Sequence, residues 1–468
     1  MSEKIIWSIK DVDTIKLSPI HSWPIALLKF VDDLIPRYGI LKDIPTIGGD
    51  LYEFSSKGLL KFIIDKIQNR YDEKIINIRI VHMPMVLILD AELSKEILLC
   101  KKVRRGRIYD RLTDFFGFGI FTSNIHDKWF HQRKTVFRLF QRKNLEFITP
   151  TLAESMFSVL DKELGKEVDF QLLLSKMGLI GFCQTIFGVD ISDIYMDLME
   201  PLNRLLVYMN SAIEPFVIAW DPSYVEFSKD KDIVHAWVRE LIARAKNSNK
   251  CNPIILEEFG REDITEIELI EFVLSVVFGG HETTSKLILA TIYSLCNNRQ
   301  FIDKLNLETE EYFATHTNYE IDVMKMPYLK NIINEGTRLY PSAWILSRET
   351  SEQIEFGDFN FKGGTQFLIS PLIFLRSEKI WGNDAEIFNP ERFEQLTDQA
   401  QKTFIPFVVG MENCPGKMFA ELEACIVISK LFYSYKIELL DHEIVPNSAI
   451  TFRLFNKLPV VITKKIQI

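Results

Sequence analysis

One short run near the C-terminus constrains this chain more than any other feature: Phe404-Ile-Pro-Phe407-Val-Val-Gly410-Met-Glu-Asn-Cys414-Pro415-Gly416-Lys-Met-Phe-Ala420. A lone cysteine stands directly before a proline that suits the first position of a helix, and Met418 to Ile428 continue with helical spacing. A thiolate there faces unpaired backbone N–H groups and the positive end of the helix dipole, so its pKa is expected to fall. Gly410 and Gly416 let the backbone approach a flat, bulky group, and Phe407 can pack beside it. Cys414 is therefore a candidate metal ligand. A bare Cys-Pro-Gly without these neighbours would read as a buried structural turn.

The rest of the chain reads as one continuous, mainly α domain with a small β region. Its 468 residues carry no internal repeat and no Gly/Ser/Pro-rich linker, and at 47% hydrophobic they supply a large core. Residues 1–40 are expected to form an N-terminal extension and 41–468 the domain. Strand patterns occur at Ile76–Ile80 with Val86–Leu89, at Gln353–Phe356 with Thr365–Ile369 across Gly363-Gly364, and at Ala449–Phe455 with Leu458–Thr463. Helical patterns run from Trp129 to Phe140 and from Ile264 to Leu295. The six cysteines are scattered without a Cys-x-x-Cys pair, which points away from zinc and disulfides and toward a reducing compartment. A net charge of -9 argues against nucleic acid as a partner. No charge-free apolar run reaches the roughly 18 residues that span a bilayer, and the first ten residues lack a signal-peptide apolar core, so no signal peptide is expected. Residues 23–40 are moderately apolar but carry Lys29, Asp32, Asp33 and Arg37. They are expected to cover the domain, with a membrane surface as the alternative.

Three further clusters put polar groups where apolar ones would be cheaper. Phe278-Gly279-Gly280-His281-Glu282-Thr283-Thr284 interrupts an apolar helical pattern. Each glycine costs about 1 kcal/mol relative to Ala. Either space for a small ligand, with a distorted helix ladder, or tight helix packing would require them. Glu335-Gly-Thr-Arg338 sets a carboxylate and a guanidinium on one helix face between apolar flanks, so the pair is expected to be buried; Asn389-Pro-Glu-Arg392-Phe offers a second guanidinium. Trp129 and Arg133 share a helix face at i, i+4. His281 reads as a locally hydrogen-bonded residue and not as a metal ligand.

In their order and spacing these motifs resemble the cytochrome P450 family, over roughly residues 40–468. The resemblance implies the mainly α fold of that family and a haem b whose iron is held by Cys414, with Phe407, Gly410 and Gly416 shaping the loop. It implies haem propionates met by Trp129, Arg133 and Arg348, and a buried network of Glu335, Arg338 and Arg392 bracing the cysteine loop. Glu282 and Thr283 would relay protons for dioxygen activation. Departures are Glu412, where the family usually has a basic residue contacting a propionate, and Trp344, where it often has Pro. The N-terminal membrane anchor common in eukaryotic members is not evident, so a cytoplasmic or membrane-peripheral location is expected.

The resemblance also places the substrate. Pocket walls are expected from the loop Asp114 to Phe121, with Phe115, Phe116, Phe118 and Phe121, from the region Leu202 to Ile218, from Phe278 and Gly279, from Ala343 to Leu346 with Trp344 and Ile345, and from Thr451 and Phe452. Such walls suit a lipophilic small molecule, with a fatty acid as first candidate and sterols or terpenoids as alternatives. Electrons would come from NAD(P)H through a separate redox partner, a flavodoxin-like reductase or a ferredoxin, since no flavin or nicotinamide unit fits in the chain. Lys128, Arg133, Lys134, Arg138, Arg142 and Lys143 form either a docking face for an acidic partner or an ordinary solvated helix face, and Lys101 to Arg107 are expected to form a surface loop near the pocket entrance. A monomer is expected. The competing functions are a haem-thiolate hydroperoxide isomerase or peroxygenase and a non-catalytic haem binder.

Overall fold

A computed structural model describes residues 60–67, 70, 73–80, 83–212, 222–448 and 451–465. The extension expected over residues 1–40, with its apolar stretch from 23 to 40, lies outside them. So do residues 213–218 of the expected pocket wall and residues 449–450 of the last strand pattern.

The longer helices are α1 (Ala91–Leu99), α2 (His126–Leu139), α3 (Arg142–Asp161), α4 (Phe170–Phe182), α5 (Tyr195–Ala212), α6 (Pro222–Lys246), α7 (Glu266–Asn297), α8 (Ile302–Thr315), α9 (Pro327–Leu339) and α10 (Lys417–Ser434). The centre of the molecule is α7. Thr265 caps it in a box with Glu268, satisfying backbone donors at its start. Beyond the first turn it is apolar on nearly every side, and it is buried among α4, α9 and α10. Of the two explanations for Gly279-Gly280, tight packing holds and the distorted ladder does not, because the helix runs through both without a break. The glycines admit aromatic rings instead. A Cβ on Gly279 would stand 2.7 Å from Phe121, and one on Gly280 would collide with Phe182. Among the described residues Phe170–Phe187 alone is long and apolar enough to cross a membrane, and 83% of that stretch is buried, with α4 packed on α7.

A five-stranded sheet flanks the helices in the order β1 (Ile75–Ile80), β2 (Met83–Ile88), β8 (Gln366–Ile369), β5 (Leu346–Thr350) and β3 (Val103–Arg105). Only the β2–β8 pairing is parallel. The first hairpin matches its sequence pattern, with the second strand starting earlier, at Met83. The other two patterns mark strands but misjudge their partners. Ile354–Phe356 (β6) turns at Gly357, whose φ is +54°, onto Phe359–Phe361 (β7), while β8 enters the main sheet. Near the C-terminus β11 (Phe452–Arg453) pairs with β10 (Asn447–Ser448). The segment expected to pair with it, β12 (Pro459–Lys464), lies instead between β4 (Glu167–Asp169) and β9 (Tyr435–Leu439). Lys101 to Arg107 is likewise no surface loop, since its middle is β3, paired to β5.

Candidate active site

A cavity of about 320 Å³ lies between the Cys414 segment and the middle of α7. The loop on the first wall is tightly wound. Val408 takes a φ of +63°, a conformation costly for a β-branched residue, and Gly410 takes +81°. A Cβ on Gly410 would stand 2.5 Å from the Leu98 carbonyl, so α1 enforces glycine there. The Cys414 N–H donates to the Phe407 carbonyl at 2.8 Å and closes the loop. Pro415 does not open the helix as expected, because α10 starts at Lys417 with Gly416 as its cap. The thiol does not follow the helix-dipole expectation either. Burial pushes the Cys414 pKa up, against the Gly416 N–H and the Arg133 guanidinium that pull it down.

One end of the cavity is cationic. Arg105 and Arg348 stand directly opposite each other on β3 and β5, and Arg133 reaches in from α2. Like charges facing across a ladder repel. Glu412 is the carboxylate between them, 3.4 Å from Arg105 Nε and 3.2 Å from Arg348 Nη2. Arg133 donates to the backbone carbonyl and side-chain oxygen of Asn413. The Trp129 ring lies between Arg105, at 5.7 Å, and Arg133, at 5.4 Å. Burial lowers the pKa of Arg133 to about 10, and repulsion from Arg105 adds to this. Arg105 is lowered as well, with burial the main cause. Arg105 Nη1 and Trp129 Nε1 are buried without a partner. Three guanidiniums against one carboxylate, with two orphaned donors, suit a ligand that brings two negative charges. These residues fit a haem with two propionates, which Arg105, Arg133 and Arg348 would hold, while Cys414 would hold the iron. Arg105 escapes a reading by composition because the basic run looks solvated. Strand alternation from Val103 was the signal that could have turned it inward.

The opposite wall is α7. Thr283 lines the cavity, and its Oγ1 donates to the Gly279 carbonyl at 3.0 Å. Glu282, one residue earlier, does not line it. Its Oε1 accepts from Arg453 Nη2 at 2.7 Å and from Thr451 Oγ1 at 3.2 Å, and of these two donors Thr451 lines the cavity. His281 is wholly buried, with Nδ1 on the Val277 carbonyl at 2.9 Å, which agrees with a local hydrogen-bonding role.

Of the expected pocket residues, Phe121, Phe278, Gly279, Ala343 and Ile345 line the cavity. Phe115, Phe118, Trp344 and Phe452 do not. Phe115 is packed in the core against Phe116, and Phe116 takes the lining position. Phe118 is 42% exposed, and Trp344 is buried behind the wall. Phe452 borders a smaller void, and its neighbour Thr451 faces the main cavity. Ile120, within the expected loop, lines the wall too, and Tyr109 and Ser275 line it without having been expected. Phe407, Gly416, Arg133 and Arg348 line the cavity as well, whereas Trp129 and Gly410 stand behind it.

The buried network is assembled away from the cavity. Arg338 donates to Glu335 through Nε at 2.7 Å and Nη2 at 2.8 Å, and Arg392 Nε reaches Glu335 Oε1 at 3.1 Å. Arg338 Nη1 also holds the carbonyls of Leu375 and Ala385. The candidate docking face is largely neutralised: Lys128 pairs with Glu268, Arg138 with Glu257 and Arg142 with Glu146. Arg133 is turned inward.

A family model described as Cytochrome P450 matches residues 43–463. The chain is 50% identical over 457 residues to the Cytochrome P450-like protein L532 of Acanthamoeba polyphaga mimivirus, covering 96% of each. It is 26% identical over 396 residues to a Cytokinin hydroxylase of Arabidopsis thaliana, covering 76% of this chain and 74% of the relative. Over 467 residues it is 23% identical to the Cytochrome P450 4V2 of Homo sapiens, covering 88% of each.

Proposed function

Because the chain belongs to the cytochrome P450 family and so to the haem-thiolate monooxygenases, we propose that it hydroxylates a lipophilic small molecule, a fatty acid first. The observation that carries this reading is the cavity itself, with a cysteine sulfur on one wall, a threonine hydroxyl on the other and aromatic rings between. Cys414 is the residue that would hold the iron, and Arg105, Arg133 and Arg348 those that would hold the propionates. A haem so bound supplies the dioxygen activation.

The chain's own residues do the remainder. Phe116, Phe121 and Phe278 meet edge to face and exclude water from the substrate's place. Gly279 leaves room beside them. Thr283 Oγ1 presents a proton at the cavity wall, and Glu282 is the neighbouring acid that would replenish it. The two electrons per turnover come from NAD(P)H through a separate donor. A hydroxylation also stands in the printed name of the Arabidopsis relative, but its substrate does not carry over at that identity. The Gly-His-Glu-Thr-Thr run supports the fatty-acid preference.

The test is a reduced-CO difference spectrum of the haem-loaded protein, then Soret shifts across a lipid panel and turnover with a surrogate reductase. A thiolate spectrum lost in Cys414→Ser, with NADPH-dependent oxygen insertion into a lipid, is the expected result. A thiolate spectrum that survives Cys414→Ser overturns the ligand assignment. Lipid shifts without NADPH-dependent product would leave an isomerase or a binder in its place.

A further inference from the structure

We propose that Arg453, with Thr451 and Lys286, positions Glu282, and that through this clamp Thr451 and strand β11 tie proton delivery to substrate occupancy of the cavity. The proposal rests on the monooxygenase reading above and names the residues that regulate it.

Glu282 and Thr283 are adjacent on α7, so their side chains leave the helix about 100° apart. Thr283 faces the cavity, and Glu282 faces the C-terminal strands. There its Oε1 takes the Arg453 and Thr451 hydrogen bonds, and Lys286 Nζ stands 3.9 Å away, one helical turn on. Glu282, Lys286 and Thr451 are all buried. Burial alone would raise the Glu282 pKa, but Lys286, Arg453 and then His281 outweigh it and hold the carboxylate below its usual range. The other titratable groups near the clamp are Tyr195, whose pKa burial and then Glu282 raise, Asp169, whose charge opposes the fall at Lys286, and Tyr340, beside Lys286 and Arg453. Burial brings the Lys286 pKa down to about 8. Clamped in this way, the acid is ionised and turned from the cavity. To accept one proton and pass one on, returning to carboxylate, it has to leave Arg453.

The clamp is wired to the cavity by a closed ring of contacts. Thr451 lines the cavity while it donates to Glu282. The next residue, Phe452, donates its N–H to the Ser342 carbonyl at 3.0 Å. Ser342 also lines the cavity, and its Oγ donates to the Thr283 carbonyl at 2.7 Å. A substrate pressing on Thr451 and Ser342 therefore bears on both members of the acid–alcohol pair. A void of only about 10 Å³, lined by Lys286, Tyr340, Phe452 and Arg453, borders the clamp.

The experiment compares the haem-loaded wild type with Arg453→Met, Arg453→Lys and Thr451→Val. Two properties are read: hydrogen peroxide released without lipid (two electrons and two protons per dioxygen) as a function of pH, and amide exchange over residues 451–455 with and without a bound lipid. In the wild type, lipid is expected to change exchange at the Phe452 amide, and lipid-free peroxide release is expected to be low. In Arg453→Met, lipid-free release should rise about tenfold with its pH profile moved upward, and exchange should no longer respond to lipid. Arg453→Lys should restore most of both. Thr451→Val, which leaves the ion pair in place, should blunt the exchange response even if Arg453→Met folds poorly. A pH profile unmoved in Arg453→Met, or wild-type exchange indifferent to lipid, overturns the proposal. A wild type without thiolate spectrum or turnover overturns the monooxygenase reading instead.

Discussion

At the scale of single residues, Glu412 reverses the expectation its identity creates. A carboxylate where the family usually has a base looks like a lost propionate contact. In place it neutralises one of three crowded guanidiniums, lying within 3.4 Å of Arg105 and 3.2 Å of Arg348. Without it Arg105 and Arg348 would face each other across β3 and β5 unscreened. Glu412→Gln should therefore destabilise the haem-free protein by about 1–2 kcal/mol, since the pair is only partly buried. The haem-bound protein should lose less, because the propionates take over the screening. Melting temperatures of the two forms and the rate of haem transfer to an acceptor check this. Equal losses in both forms would mean that Glu412 does not act as a counter-ion. Legibility at this scale follows chemistry. Cys414 and Thr283 are readable because few tasks explain their neighbours. Which of Phe115, Phe116 and Phe118 faces the cavity is not, because one short turn of helix ending at Gly117, with its φ of +54°, sets their phase.

At the scale of elements, α7 was readable in extent and left open in detail. Its apolar period gives the helix, and the two glycines fit either a distorted ladder or tight packing. They are the places where Phe121 and Phe182 press on the helix backbone. Gly280→Ala should gain about 1 kcal/mol of helix propensity and lose about 1–3 kcal/mol to overpacking against Phe182. The net outcome is a less stable protein with near-normal lipid binding. Gly279→Ala pushes on Phe121, which lines the cavity, so its effect should appear in lipid-induced Soret shifts more than in the melting temperature. A Gly280→Ala protein as stable as the wild type would show that Phe182 moves aside freely. The strands show the complementary limit. Alternating residues mark β6, β8, β11 and β12, but pairing partners are set by packing across hundreds of residues, which a local period does not carry. Gly363-Gly364 looked like the turn, while Gly357, beside Asp358, makes it.

At the scale of the whole molecule, the buried Glu335 cluster connects parts that the sequence separates. Glu335 and Arg338 sit on α9, Arg392 lies in the approach to the cysteine loop, and Arg338 also grips the Leu375 and Ala385 carbonyls. The apolar flanks made its burial legible. The backbone carbonyls it holds were not, because they come from residues with no polar side chain to betray them. Such a cluster is weak evidence of net stability, since dehydrating the charges offsets much of their attraction. What it fixes is geometry. Arg338 spends its fork on Glu335 and on two carbonyls at once, which an ammonium cannot match. Arg338→Lys is therefore not conservative here, and it should cost about 3–5 kcal/mol by leaving Glu335 poorly paired in the core. The same loss should loosen the segment from 375 to 392, which leads into the Cys414 loop, and so speed haem release beyond the change in global unfolding. Chemical denaturation with parallel amide exchange over that segment separates the two effects. If Arg338→Lys lowers stability but leaves exchange between 375 and 392 unchanged, the cluster supports α9 alone and does not brace the loop that carries the sulfur.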